Sequence, residues 1–428
     1  MKPIQKIIEF FIRRKWLGIL LILGLACGVG ISTFYRGAIS PKQRTDLTVY
    51  LKAGERIAEG RAHDIYQVTN IRGWHYVYSP LLAILLAPVS KWPLDATVSL
   101  AYLLSLACLA GTVLLSRRFP EDARAAPWQI ALAMIFCLPM ILNTFTRGQF
   151  GIITLFFMAA IFFNYLARHK ILTGLLLALA VALKISPLAF LVFFFLMKRE
   201  WKILASTALG FFLFLFLFPS LAIGFQQNWE LLKIWKHLML ISQSATAYQH
   251  YLWGELFTPF AEDNQSLYAV LTRFAWPSEA QFAGHSNALV RFITSGFGVF
   301  LLALPFVKGR KISPVPAQDP LRSLAEFSLF PMIMLFTSPV TQIHHYTVVY
   351  FLCLAALMMM DHIPQGSWSR RYLAVSLWIC ALSLVLGMII PILGYWGIPL
   401  WGSLLLWSAV LYTTHFLPPV VSSKNAGE

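Results

Sequence analysis

Charged residues are scarce in this 428-residue chain: 12% of its residues are Asp, Glu, Lys or Arg, whereas 58% are hydrophobic. Soluble domains carry about 25% charged residues, so this scarcity excludes an ordinary water-soluble protein. Apolar windows of about 20 residues, the length of one helical bilayer crossing, recur along the whole chain with short polar gaps between them. The sequence therefore predicts an all-α polytopic membrane protein made of a single domain, residues 1–428.

Acidic residues and cysteines are also few. The chain has 18 acids against 34 Lys and Arg, and almost none of the acids falls at mid-membrane depth, which argues against a proton-coupled carrier. The basic residues occur in short clusters between apolar segments, so they indicate membrane topology and no nucleic-acid partner. All five cysteines lie in apolar segments without metal-ligand spacing, so neither a disulfide framework nor a zinc site is predicted.

The basic clusters predict the topology. Several basic residues precede the first apolar run, 16–35, which is too long for a signal-peptide core and is predicted to be a retained anchor. Because Lys and Arg mark cytoplasmic loops, both termini are predicted on the cytoplasmic side of the cell membrane. A first loop at about 40–94 and a large loop at about 224–286 are then predicted outside, so that a site built on them faces the periplasm or the exterior.

Twelve spans fit this topology if the proline-bounded run 79–89 lies at the interface instead of crossing. Two of them are short, and the proline between them favours a hairpin that reaches only part of the way through the bilayer, with Lys184 at its outer tip. The predicted spans are 16–37, 95–116, 127–143, 150–167, 171–184, 186–197, 202–223, 287–307, 323–338, 346–361, 372–391 and 398–417.

Polar residues that topology does not explain concentrate on the predicted outer side. They stand in five separate stretches of the chain: Asp46, 143–151, 184–187, 263–274 and 338–346. A site at the outer membrane face requires such side chains to converge from several loops and span ends. The sequence therefore predicts that these five stretches meet.

Each candidate also has a purely structural interpretation. Asp46 either balances Arg44 or caps the helix that follows, since Asp is a favoured N-cap residue. Arg147 is alternatively an interfacial anchor, and the Lys184 side chain alternatively extends to the lipid headgroups. The two glycines within 143–151 then shape a turn.

The motifs, taken in order, resemble those of a known family. An acid opens the first loop, followed by YSPLLAILLAP (78–88), RGQ (147–149), GLLLALAVALKISPLAFL (174–191), NQSL (264–267) with Arg273, and SPVTQIHHY (338–346). Over about residues 40–350 the chain is similar to the polyprenol-phosphate-mannose-dependent mannosyltransferases of glycosyltransferase family 87, also called the DUF2029 group. The resemblance implies a GT-C type bundle of about twelve transmembrane helices, with interfacial helices and the catalytic acid in the first loop.

The resemblance also implies the reaction. A hexose, with mannose as the leading candidate, would pass from a polyprenyl-phosphate donor to a glycolipid or polysaccharide acceptor at the outer face of the membrane. Asp46 is the expected general base in an inverting displacement, and Glu55 and Asp64 are the alternative bases. Glu262 and Asp263 are candidates for acceptor contacts, as is Glu255.

The leaving phosphate needs positive charge more than a proton. Arg147 and Lys184 are the expected phosphate-binding residues, together with His344 or His345. Neighbouring residues point about 100° apart on a helix, so one histidine, and not both, is expected to face the site. The remaining candidates, for contacts to the sugar or the acceptor, are Gln149, Asn264, Gln265, Arg273 and Tyr78.

No cofactor is predicted. The cationic side chains can neutralise the phosphate, and Asp46 lacks the adjacent acid that metal-dependent relatives place in the first loop, so a divalent metal is not favoured. The expected partners are the lipid-linked donor, the acceptor and membrane lipids. The competing hypotheses are a lipid or solute transporter, which would need a polar path to the cytoplasmic side, and a non-catalytic scaffold for envelope assembly.

Overall fold

The computed structural model describes residues 2–43, 45–119, 124–241, 250–282, 288–309 and 319–414. Within these ranges the regular secondary structure is helical, and β-structure is limited to two isolated bridges, Thr69 with His75 and Asn264 with Gln342. The prediction of an all-α protein is confirmed.

Twenty-one α-helices follow one another along the described residues. They are α1 Lys2–Arg13, α2 Lys15–Phe34, α3 Leu47–Ala58, α4 Pro80–Leu86, α5 Leu94–Arg117, α6 Pro127–Phe136, α7 Leu138–Arg147, α8 Gly151–Leu166, α9 Lys170–Leu183, α10 Leu191–Met197, α11 Trp201–Phe211, α12 Phe218–Ile223, α13 Phe225–Ile241, α14 Leu267–Ala275, α15 Glu279–Phe282, α16 Ala288–Gly309, α17 Pro320–Thr337, α18 Val349–Asp361, α19 Trp368–Ile389, α20 Pro391–Tyr395 and α21 Ile398–Thr414. Short 3₁₀ turns cover Ala62–Asp64, Ala87–Val89, Leu188–Phe190 and Ile343–Val348.

Several helical segments are long and apolar enough to cross a bilayer. Among the described residues there are six, or seven if α6 and α7, bent by 61°, form one broken span. The six are Trp16–Ile39, Leu94–Arg117, Trp201–Ile223, Ala288–Val307, Ile343–Asp361 and Trp368–Ile389. The protein is therefore a multi-pass membrane protein.

Where the structure describes them, the twelve predicted spans fall on largely helical stretches, but the count of twelve stays a prediction. Several of the corresponding helices, such as Gly151–Leu166 and Lys170–Leu183, are apolar yet shorter than a full crossing. The run Pro80–Val89 is also short, and at about 1.5 Å of rise per residue it cannot span the bilayer as a helix, in agreement with its predicted position at the interface.

Helix burial separates the centre of the bundle from its periphery. The side chains of α18 are almost wholly enclosed by other helices, whereas most of α2 is exposed, as expected of a helix that faces lipid. Small residues bring other helices close together: a Cβ atom on Gly174 of α9 would lie 2.4 Å from the carbonyl oxygen of Ile203 on α11. Such close approach is typical of helix contacts inside membranes.

The first loop and the large loop pack on each other. The large loop contains α13, although its sequence predicts a hydrophilic connection. Gly224 (φ +88°) turns the chain between α12 and α13. Leu231 and Leu238 of α13 share an apolar cluster with Tyr50 on α3 and Tyr66 of the first loop. This apolar cluster therefore includes α3, the helix that directly follows Asp46.

Candidate active site

Asp46 stands at the N-cap position of α3, but its side chain does not cap the helix. Its carboxylate accepts a hydrogen bond from Nε2 of Gln149, and its backbone N–H donates to the carbonyl of Arg147 at 2.9 Å. The capping interpretation therefore holds for the position and not for the side chain. Arg44, the other proposed partner, lies outside the described residues.

Gln149 connects Asp46 to the rest of the site. Its side chain is buried, and Oε1 accepts from the hydroxyl of Tyr50 at 3.3 Å, the hydroxyl of Tyr78 at 3.4 Å and Nζ of Lys184 at 3.4 Å. Because all three neighbours can donate, the amide oxygen must face them, and Nε2 must face Asp46. Gln149 is thus a fixed bridge between a carboxylate and an ammonium group.

Two glycines shape the turn that carries Arg147 and Gln149. Gly148 ends α7 in the left-handed conformation (φ +64°), and a Cβ atom there would lie 2.4 Å from Oγ1 of Thr45. Gly151 opens α8, where a Cβ atom would come within 3.0 Å of the carbonyl oxygen of His344. The glycines therefore allow the turn to lie against both the first loop and the histidine segment.

Lys184 follows the last residue of α9 in an extended conformation. Its side chain is 7% exposed, and this burial lowers the pKa of Lys184 to about 8, while the negative charge of Asp46 acts in the opposite direction. The lysine is therefore a cation at neutral pH, held by Gln149 close to Asp46.

Arg147 makes the second cationic contribution to the site. Its Nη1 lies 3.4 Å from Oδ2 of Asp263, and the two side chains are 28% and 33% exposed. Its carbonyl accepts from the hydroxyl of Thr45 at 3.2 Å, in addition to the N–H of Asp46. The backbone of Arg147 is thus fixed to the start of α3, while its guanidinium remains partly exposed.

The histidine pair lies on the 3₁₀ turn Ile343–Val348 beside α8. Thr347 ties this turn to α8 by donating to the carbonyl of Gly151 at 3.2 Å. His344 is buried, whereas His345 is half-buried and accepts from the N–H of Gln342 at 3.2 Å through Nδ1. The structure thus brings the histidine segment to the same site.

Asn264 and Gln265 contact main chain. Asn264 Oδ1 accepts from the N–H groups of Ser266 and Thr341, and its Nδ2 donates to the carbonyl of Pro339. Gln265 Nε2 donates to two main-chain carbonyls at 2.7 and 2.8 Å. Both residues are about 1% exposed, so in this structure they join loop segments and do not line the cluster around Gln149.

Arg273 is fully buried and donates hydrogen bonds to the chain segment 259–264. Its guanidinium donates to the carbonyls of Pro259, Ala261 and Asn264 at 2.7–2.9 Å. It also lies over the ring of Tyr395. The Arg273 side chain therefore supports the segment that carries Asp263, and its predicted role as a sugar or acceptor contact stays a prediction.

Sequence reasoning did not find Tyr50 and the Arg147–Asp263 pair. The hydroxyl oxygens of Tyr50 and Tyr78 lie 3.0 Å apart, and the two rings pack edge-on. Tyr50 follows Asp46 by four residues on the helix that Asp46 begins, and residues at this spacing share a helix face. The spacing of four residues was therefore a signal in the sequence for Tyr50. The Arg147–Asp263 ion pair joins residues 116 positions apart, and no local sequence pattern predicts it.

The alternative acids of the first loop lie elsewhere. Asp64 pairs with His63 at 3.2 Å, and Glu55 lies further along α3. Of the first-loop acids that the structure describes, Asp46 is the one bonded to Gln149. The Glu255 side chain lies outside the described part.

Across the described residues no group of three or more His, Cys, Asp or Glu side chains is placed to hold a metal ion, and metal independence stays a prediction.

The chain has similarity to a characterised protein and to a solved structure. The chain is similar to a polyprenol-phosphate-mannose-dependent alpha-(1-2)-phosphatidylinositol mannoside mannosyltransferase of Mycolicibacterium smegmatis, with 29% identity over 185 residues; this alignment covers 39% of this chain and 41% of the relative. It also resembles ArnT from Cupriavidus metallidurans, solved bound to undecaprenyl phosphate, at 14% identity and a TM-score of 0.40, covering 93% of this chain and 77% of ArnT.

A family profile covers more of the chain. The profile of glycosyltransferase family 87 matches residues 76–339, more than half of the sequence. The matched range includes Arg147, Gln149 and Lys184, whereas Asp46 and the histidine pair lie outside it. The chain belongs to glycosyltransferase family 87.

Proposed function

We propose that this protein transfers a hexose from a polyprenyl-phosphate donor to a lipid or glycan acceptor. The observation that supports this most directly is the hydrogen-bonded path Asp46–Gln149–Lys184, with Arg147 bonded to Asp46 through the main chain. Three distant parts of the sequence build this path, which links a carboxylate to an ammonium group. Membership of family 87 and the donor named for the mycobacterial relative make mannose the first sugar to test.

Asp46 is the proposed general base. Its carboxylate takes the proton of the acceptor hydroxyl as that oxygen attacks the anomeric carbon of the donor sugar. A new carbon–oxygen bond forms on one face of the sugar while the bond to the phosphate oxygen breaks on the other, so the configuration inverts. General-base assistance of this kind is typically worth about 10²- to 10⁴-fold in rate.

Lys184 and Arg147 are the proposed phosphate-binding cations, with one of His344 and His345 as a further contact. The bond breaks heterolytically, and the electron pair leaves with the phosphate oxygen of the polyprenyl phosphate. Fixed positive charge at that oxygen stabilises the transition state more than the ground state. Arg147 offers a fork of donors and Lys184 a point charge, so together they can hold two oxygens of one phosphate.

Gln149 and the two tyrosines are proposed to position the base and the ammonium group. Gln149 keeps the Asp46 carboxylate and the Lys184 ammonium apart, because a direct contact would neutralise both. Tyr50 and Tyr78 hold the amide in the required orientation. Hydroxyls on the sugar or the acceptor would bind next to Tyr78, which is half-buried and forms part of the cluster surface.

We place the reaction at the outer face of the cytoplasmic membrane. A polyprenyl-phosphate donor stays dissolved in the bilayer, which explains why the chain around the site is largely membrane-embedded. The positive-inside distribution of Lys and Arg supports an outer position for the first loop and the large loop and a cytoplasmic position for both termini.

The test uses purified protein in vesicles with a radiolabelled polyprenyl-phosphate mannose donor and a phosphatidylinositol mannoside acceptor. We expect labelled acceptor and free polyprenyl phosphate in equal amounts. Movement of intact donor across the vesicle without cleavage would instead support the transporter hypothesis. If polyprenyl phosphate is released and the label passes to a different acceptor, the proposed reaction type stands and the proposed acceptor is wrong.

A further inference from the structure

The Arg147–Asp263 ion pair places a second carboxylate beside the proposed phosphate site. Both side chains are about one-third exposed and meet through a single 3.4 Å contact. Partly exposed ion pairs of this kind contribute little to stability, so an incoming phosphate can displace the carboxylate from the guanidinium. The contact is therefore exchangeable and does not act as a permanent structural link.

The backbone around Asp263 is held firmly, so its carboxylate stays near the site after such an exchange. The next residue, Asn264, is bonded to Thr341 and Pro339, and the buried Arg273 grips the carbonyls of Ala261 and Asn264. A fixed carboxylate next to a bound phosphate repels it. The strength of this repulsion grows with the charge on the phosphate.

The proposed reaction changes that charge. The donor is a phosphate diester with one negative charge, whereas the product, polyprenyl phosphate, is a monoester with about 1.5 to 2 negative charges at pH 7. Two cations, Arg147 and Lys184, and two carboxylates, Asp46 and Asp263, surround the site. The cations alone would hold the more highly charged product more tightly than the donor, and the enzyme would then be inhibited by its own product.

We propose that Asp263 is a specificity-determining residue that weakens the binding of polyprenyl phosphate more than it weakens the binding of the sugar-loaded donor. The proposal rests on the proposed function and adds a discrimination between donor and product. Asp263 acts through repulsion of the phosphate and through competition for the guanidinium of Arg147. It needs no contact with the sugar or the acceptor.

The experiment compares wild type with Asp263→Asn, which keeps the shape and removes the charge. The Michaelis constant for polyprenyl-phosphate mannose and the inhibition constant for undecaprenyl phosphate are measured at pH 7.5 and pH 5, and undecaprenyl phosphate binding is also measured directly. We assume that Asp263 weakens binding about threefold for each negative charge on the phosphate. D263N should then bind the dianionic product about tenfold more tightly than wild type, and the donor about threefold more tightly. At pH 5 the product is monoanionic, so D263N should bind both the product and the donor about threefold more tightly than wild type.

Glu230→Gln serves as the matched control. Glu230 forms an exposed ion pair with Lys233 on α13, so this variant removes the same charge from the large loop without touching the site. Both constants should stay within about twofold of wild type. Thermal unfolding of D263N checks that the fold is intact, and Asp263→Ser should shift the constants in the same direction.

Equal shifts for donor and product at pH 7.5, or weaker binding of both, would overturn the proposal and make Asp263 a residue that merely positions Arg147. If wild type neither cleaves the donor nor binds undecaprenyl phosphate, the proposed function itself is wrong and the inference falls with it. If wild type does both and the ratio of the two constants does not change in D263N, only the inference falls.

Discussion

At the scale of single residues, one neutral side chain links the carboxylate of Asp46 to the ammonium group of Lys184. Gln149 stands between Asp46 and Lys184 and donates to one while accepting from the other. A carboxylate needs a hydrogen-bond donor, and an ammonium group needs an acceptor. An uncharged side chain with both a donor and an acceptor meets the two needs.

Lys184 gives the site a predicted dependence on pH. Because its pKa is lowered to about 8, the cation is present below that pH and is lost as the pH rises through it. We therefore expect the kcat/KM for the donor to fall above about pH 8 as phosphate binding weakens. Lys184→Arg keeps a charge at all accessible pH values and should remove this decline, at the cost of a lower maximum.

The pH profile is measured with a saturating acceptor and limiting donor. A decline at the same pH in Lys184→Arg would show that another group is responsible. Lys52→Arg on α3 is the control, since its ammonium is exposed and donates to the carbonyl of Thr69 outside the site. Its profile should follow that of wild type.

At the scale of elements, the turn between α7 and α8 joins the first loop to the helical bundle. Gly148→Ala places a side chain in the left-handed region and also against Oγ1 of Thr45. Gly60→Ala has the same backbone strain (φ +72°) but meets no atom within 4 Å. We expect Gly60→Ala to lose roughly 1–2 kcal/mol of stability and to keep its activity.

Gly148→Ala should lose more stability than Gly60→Ala and most of its activity, because the displaced turn moves Arg147 and Gln149 away from Asp46. Thermal unfolding in detergent and donor turnover measure the two effects. Equal activity in the two alanine variants would mean that the turn tolerates the shift and does not set the site geometry.

The sequence was sufficient for the parts of the site that local pattern determines. Apolar length, proline positions and basic clusters predicted the helical class and the short helix at residues 80–89. The polar residues Asp46, Gln149 and Lys184 stood out because they occur in apolar surroundings. The predicted topology placed them on one side of the membrane, and the hydrogen bonds of Gln149 bring the three together in the structure.

Other parts could not be predicted because they depend on long-range packing. The motif that contains Asn264 and Gln265 looks like a polar binding segment, yet both side chains satisfy buried main-chain groups. A buried arginine such as Arg273, paired with carbonyls instead of acids, has the same sequence signature as a phosphate-binding one. The helix α13 in the large loop packs on α4 and on the 62–64 turn of the first loop, and no local sequence pattern predicts this packing.

At the scale of the whole molecule, the proposed face of the reaction can be tested on a single helix. α5 has 24 residues and is about 36 Å long, enough to place its two ends on opposite sides of the bilayer. Lys91 precedes it and Arg118 follows it, and both are exposed. In intact cells, Lys91→Cys should react with a membrane-impermeant maleimide, and Arg118→Cys only after permeabilisation.

These variants are made in a Cys27→Ser background, because the other four cysteines are buried. The reverse labelling pattern would place the site on the cytoplasmic side. The reaction type would be unchanged in that case, but the donor would have to be presented on the inner leaflet.

The most direct test of the account is the single-turnover rate of sugar transfer by Asp46→Asn. The variant should bind the polyprenyl-phosphate donor within a few-fold of wild type and transfer the sugar about 10²- to 10⁴-fold more slowly. Asp95→Asn, the same change at an exposed residue at the start of α5, should be indistinguishable from wild type. Transfer by Asp46→Asn within a few-fold of wild type, at equal protein abundance, would contradict the account and turn attention to Glu55 and Asp64.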